Sequence, residues 1–102
     1  MILHCVFCNF RDEAPMLERI AVLQELAEFS RTLDGVVAFE FGPNLDFELK
    51  SPEYSDGFVI RFADITAAET YAGHPTHQAL GMRLVGLCKG GADGIMVYDL
   101  NV

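Results

Sequence analysis

The sequence predicts a single α+β domain with the element order β-α-β-β-α-β and one four-stranded antiparallel sheet. Three observations predict it. Apolar runs of strand length, bounded by Gly, Pro, Asn or Asp, recur at residues 2–10, 36–41, 57–62 and 94–100. Segments with helical spacing separate the first run from the second and the third from the fourth. The chain has 102 residues, so 1–102 reads as one domain with little room for a second.

The first strand, residues 2–10, is almost continuously apolar. Asp12 is placed to cap the helix that follows, with Pro15 tolerated in its first turn. From Met16 the period is helical. Ile20, Leu23, Leu26, Ala27 and Leu33 fall on one stripe, while Glu18, Glu25 and Glu28 lie off it. Asp34-Gly35 ends the helix, because Gly accepts the left-handed conformation there. The second strand, 36–41, closes in Gly42-Pro43-Asn44. Residues 45–55 lack a period, carry Asp46, Glu48, Lys50, Pro52 and Glu53, and read as an exposed loop whose acidic spacing matches no calcium site. In the third strand Phe58, Ile60 and Phe62 share one side. Asp64 is an N-cap for the second helix, which breaks at Gly73-His74-Pro75 because Pro disfavours helical geometry in the residue before it. A further helix, 76–88, ends in Lys89-Gly90-Gly91. The last strand is 94–100.

This order favours a ferredoxin-like arrangement with the helices on one sheet face. The first strand is nevertheless apolar on both sides: Leu3, Cys5 and Phe7 on one, Ile2, Val6, Cys8 and Phe10 on the other. The second behaves similarly, with Val37, Phe39 and Phe41 against Val36 and Ala38. A solvated face would alternate more cleanly, and each large apolar side chain left in water forgoes roughly 1.5–3 kcal/mol. A second copy of the sheet is the most economical cover, which gives a two-fold homodimer with a central barrel. In this reading His4, Val6 and Cys8 face the barrel.

Net charge of −8 and pI ≈ 4.6, without a Lys/Arg cluster, argue against nucleic acid as a partner. No apolar run reaches the ~20 residues of a membrane span. The amino terminus lacks the basic region and cleavage site of a signal peptide. Three cysteines are an odd set for a disulfide framework and read as reduced thiols of a cytoplasmic protein. Cys5-Val6-Phe7-Cys8 has redox spacing, but residues three apart on a strand point to opposite faces.

Several segments carry a family resemblance: His4 and Phe10-Arg11-Asp12, Phe41-Gly42-Pro43-Asn44, 58–62, Tyr71-Ala72-Gly73-His74-Pro75-Thr76-His77, and Val97-Tyr98-Asp99. Together, over nearly the whole chain, they resemble the stress-responsive A/B-barrel domain (Dabb) family. The Tyr-x-x-His-Pro-x-His segment is the most specific part. The resemblance implies a homodimer of ferredoxin-like subunits forming an α/β barrel, in a family whose members are mostly uncharacterised. A few plant members are polyketide cyclases that use a His and a Tyr in the cavity. His4, Tyr71 and His77 match those positions, whereas Leu26 stands about where the cyclase type carries another tyrosine.

His77 is therefore the first catalytic candidate, as a general base near neutral pH. Tyr71 is the hydrogen-bond donor to a developing oxyanion, and His4 is a third polar group lining the cavity. The competing structural reading has Tyr71 and His77 bracing the helix junction, and His4 held by a backbone carbonyl. His74 is expected to cap the helix after Pro75. His74-x-x-His77 alone supplies too few metal ligands, so neither metal nor cofactor is expected. The expected partners are a second copy and a small hydrophobic ligand. Two functions follow from different classes: a non-catalytic stress or ligand-binding barrel, and a small enzyme acting on a carbonyl compound.

Overall fold

Residues 1–102 are described by a computed structural model. In chain order the elements are β1 (Ile2–Cys8), α1 (Met16–Ser30), β2 (Val36–Pro43), β3 (Asp56–Phe62), α2 (Ile65–Gly73), α3 (Pro75–Gly86) and β4 (Ile95–Asn101). A 3-10 turn at Gly91–Gly94 leads into β4. The strands order β2-β3-β1-β4, all antiparallel, so the fold is ferredoxin-like as expected. No helix is long and apolar enough to cross a membrane.

Register decides which side chains meet the helices. Val6 stands opposite Phe58 and Val97, and His4 opposite Ile60 and Asp99. Directly opposed residues share a face. Val6, Cys8, Phe39, Phe58, Ile60 and Phe62 are buried in one cluster with Val22, Leu23, Leu26, Tyr71 and Leu84 of the helices. The face carrying His4, Val6 and Cys8 is thus the helix-covered face. That corrects the sequence reading, which turned it toward the barrel. The face left without helices carries Leu3, Cys5, Phe7, Val59, Met96, Tyr98 and Leu100, interrupted by Arg61 and Glu40.

Four local expectations also shift. Asp12 does not cap α1; Pro15 takes that position, in extended geometry and without a side-chain cap. The buried stripe of α1 is Val22, Leu23, Leu26, Ala27 and Ser30, while Ile20 is exposed. In β2 a bulge between Val36 and Ala38 pushes Val37 outward and lets Val36 pack on the core beside Phe39. Gly35 (φ +83°) lies beyond α1, which ends at Ser30. A side chain there would also strike Ala67 of α2, at 2.6 Å from its Cβ.

The two later caps form as expected. The Asp64 carboxylate accepts from the Ala67 amide at 2.9 Å, and His74 Nδ1 accepts from the Thr76 amide at 3.1 Å. The 44–55 connection is exposed but ordered. Asp46 Oδ1 accepts from the Lys50 and Ser51 amides, and Asn44 Nδ2 donates to the Ser51 and Tyr54 carbonyls.

Candidate functional site

Between α3 and the helix-covered face, where α3 stands off the edge strand β4, lies a pocket of about 550 Å³, open to solvent on one side. This is the usual size range of small-molecule sites. Val6, Leu26, Phe58, Leu84, Val85 and Val97 give it apolar walls. Its polar groups are His4, Tyr71, His77 and Gln78. All three residues singled out from the sequence therefore line one pocket. The His4 and Tyr71 rings are 5.7 Å apart between centroids, and Tyr71 and His77 are 4.2 Å apart.

Each side chain is positioned by a local cause. His77 lies in the first turn of α3, just after Pro75 separates it from α2. Its Nδ1 bonds the Ala72 carbonyl at 3.1 Å. A carbonyl only accepts, so Nδ1 carries the hydrogen in the neutral ring and Nε2 holds the free lone pair. Burial pushes the His77 pKa below 6.5, the Ala72 bond acts the other way, and His4 and His74 add to the lowering. The ring is therefore a neutral base at pH 7.

Tyr71 comes from the last turn of α2 and is only 2% exposed. It packs on Phe62, Phe29 and the two imidazoles. Burial pushes its phenol well above the ordinary range, with the neighbouring Ser30 hydroxyl acting slightly in the opposite sense. The phenol stays protonated and is a donor, not a base. His4 sits among Phe58, Phe62 and Tyr71. Its Nδ1 bonds the Asp99 carboxylate at 2.5 Å, which orients the ring. No backbone carbonyl is needed to hold it.

Asp99 was absent from the sequence-predicted set. Only the register of β1 against β4 brings it to His4, and its place in the Val97-Tyr98-Asp99 segment was the available signal. His74 is engaged as the α3 cap, and its ring lies tilted against Phe29 at 4.7 Å between centroids. No group of three His, Cys, Asp or Glu side chains is arranged to hold a metal. A second cavity, of about 460 Å³, lies on the opposite side between the 44–55 connection and the helix-free face, bordered by Phe7, Tyr54 and Met96. It contains none of the paired acid–base groups.

The family model for stress responsive A/B barrel domains matches residues 2–102. Among solved structures, a dimeric ferredoxin-like protein of unknown function from Jannaschia sp. CCS1 is similar at 42% identity. It has a TM-score of 0.93 over 99% of this chain and 98% of that one. An Arabidopsis thaliana protein is 20% identical, with a TM-score of 0.86 over 100% and 95% of the two chains. A hydroxynitrile lyase from Passiflora edulis is 10% identical, with a TM-score of 0.84 over 99% and 92%. The last two likenesses establish the fold alone. No curated protein matches the chain.

Proposed function

The chain belongs to the stress-responsive A/B-barrel domain family, and on that premise we propose that it is a homodimer holding a small, mainly apolar molecule in the pocket beneath α3. The observation that carries the reading is the convergence of His4, Tyr71 and His77 on one apolar-walled space. Apolar walls supply affinity and a few directed polar groups supply orientation. Leu26 on the wall, in place of a hydroxyl-bearing side chain, favours an apolar ligand over a polyhydroxylated one. The dimer is supported by seven apolar side chains on the helix-free face and by a dimeric relative at 42% identity. Free, buried thiols at Cys5, Cys8 and Cys88 suit the reducing cytoplasm.

The test is titration of the dimer with small aromatic ketones, followed by amide chemical shifts. Saturable shifts centred on Leu26, His77, Val85 and Val97 are expected, and Gly81→Trp, which fills the mouth, should remove them. Saturation centred on the Phe7–Met96 side, or none at millimolar ketone, refutes the reading.

A second reading is favoured by one observation, the fixed His77 tautomer. A neutral imidazole with Nε2 free and a protonated phenol beside it can take a proton from the carbon next to a ligand carbonyl while the phenol donates to its oxygen. Exchange of that hydrogen for deuterium, lost in His77→Ala with the dimer intact, supports catalysis. Equal exchange in His77→Ala leaves binding as the function.

A further inference from the structure

We propose that Cys88 and Cys8 form a dithiol site that a peroxide oxidises to an intramolecular disulfide. The inference stands independently of the ligand reading. Cys8 ends β1, and Cys88 lies just past α3. Phe10 and Cys88 form an isolated antiparallel bridge. The Arg11 amide donates to the Leu87 carbonyl at 2.9 Å, and the Lys89 amide to the Asn9 carbonyl at 2.8 Å. These bonds fix the end of the third helix against the exit of the first strand. Both cysteines fall in the same core cluster, 0% and 2% exposed, and the bridge puts Cys88 opposite Phe10, whose side of the chain Cys8 shares, so the two side chains are diagonal neighbours on one face. Cys5 lies on the other sheet face, where its thiol turns to the Leu3 carbonyl. Of the three thiols, therefore, only these two are placed to bond each other.

Their surroundings differ in charge. The Arg11 and Arg19 guanidinium groups lie on the Cys88 side, held by the Gly86 carbonyl at 2.9 Å and the Ala14 carbonyl at 2.9 Å. Together with the neighbouring Cys8 thiol, and against burial, they draw the Cys88 thiol below its ordinary range. The neighbouring Cys88 thiol, burial and nearby Asp56 push Cys8 up. Cys88 is thus the nucleophile and Cys8 the resolving thiol. The Cys88 thiolate attacks one peroxide oxygen, the O–O bond breaks, and hydroxide leaves as Cys88 becomes a sulfenic acid. The Cys8 sulfur then displaces the hydroxyl, which departs as water with the Cys8 proton as the S–S bond forms. Overall, two thiols and one hydrogen peroxide give one disulfide and two waters. Both thiols are buried, so the reaction requires the 87–94 connection to open, releasing the Lys89–Asn9 and Arg11–Leu87 backbone bonds but none of the sheet ladders. The bond would tie the end of α3, which lines the pocket through Leu84 and Val85, to the sheet.

The experiment exposes the reduced, folded protein to hydrogen peroxide, then unfolds, alkylates and digests it for mass spectrometry. The expected result is loss of two of the three alkylatable thiols, one Cys8–Cys88 linked peptide, and Cys5 alkylated. Under dimedone, Cys8→Ser should trap an adduct on Cys88, whereas Cys88→Ser should leave Cys8 unmodified. The wild-type linkage is read without any variant, so a misfolded variant leaves the test standing. Three free thiols, at peroxide that fully oxidises glutathione, overturn the proposal. So does a bridge through Cys5, within or between chains.

Discussion

Replacing Tyr98 by Asp tests the assignment of the two sheet faces. Tyr98 is 53% exposed in the single chain, on the helix-free face, and its neighbours there are Cys5, Met96, Leu100 and the Phe7 ring at 6.5 Å. No cation lies among them. In the isolated subunit the carboxylate stays in water and the fold should tolerate it. In a sheet-to-sheet dimer each copy brings one unpaired carboxylate into an apolar seam, at about 3–5 kcal/mol apiece. Even one such cost, at the lower bound, weakens association by roughly 100-fold, since each 1.4 kcal/mol is a factor of ten. Val6→Asp has the same chemistry on the other face, where Val6 is 3% exposed between Phe58 and Val97. It should unfold the chain rather than dissociate it. Sedimentation equilibrium with circular dichroism separates the two outcomes. A Tyr98→Asp protein that remains dimeric with unchanged affinity refutes the face assignment, as does a Val6→Asp protein that melts like wild type.

Tyr71→Phe should cost about 1 kcal/mol, the net worth of one hydrogen bond, and Tyr71→Ala about 3–5 kcal/mol for the emptied core; equal losses in chemical denaturation would contradict the packing described. Asp64→Ala should cost ~1 kcal/mol through the lost cap, a fall of ~4–8 °C in Tm for a domain of this size, whereas Asp12→Ala should stay within ~0.5 kcal/mol because Asp12 caps nothing. His77 should titrate below 6.5 by nuclear magnetic resonance, and a midpoint at or above 6.5 in the free protein would remove the base argument. The sign for stability follows. The unfolded chain takes the proton first as pH falls through 6.5, so this ring's stabilisation is present above that pH and fades below it. His77→Gln should flatten that part of the profile.

The strands and late helices were legible because their residues obey local rules. Phe58, Ile60 and Phe62 keep a period of two, and Asp64 and His74 sit where a helix needs an acceptor. The face of β1 was not legible, because Val6 and Cys8 on one side and Leu3, Cys5 and Phe7 on the other satisfy alternation equally. Only register, which brings Val6 beside Phe58 and under Leu84, breaks the tie. The β2 bulge hid the role of Val36 in the same way, since one extra residue flips the strand's faces. Of the site, His4, Tyr71 and His77 were readable through their resemblance to a motif. Asp99 and the Cys8–Cys88 pair were not, because each depends on chain segments far apart in sequence.

The two sheet faces share strands, so in the proposed dimer the second copy and the site would be mechanically linked. β4 is an edge strand paired only with β1. On it, Asp99 holds His4 on the pocket side, while its immediate neighbours Tyr98 and Leu100 point to the helix-free side. Those two side chains are about half exposed in the single chain, so little besides the β1 ladder holds β4 in place. A partner sheet that covers them adds burial to the very residues flanking Asp99, at roughly 1.5–3 kcal/mol for each large apolar side chain fully covered. Dissociation should therefore loosen the His4–Asp99 pair without touching either residue. In the Tyr98→Asp monomer, amide exchange should rise along β4 and the His4 Nδ1 proton signal should weaken, while His77, anchored to Ala72 on the helices, keeps its own. Unchanged protection of β4 in the monomer would mean that the β1 ladder alone suffices, and that the site owes nothing to the second copy.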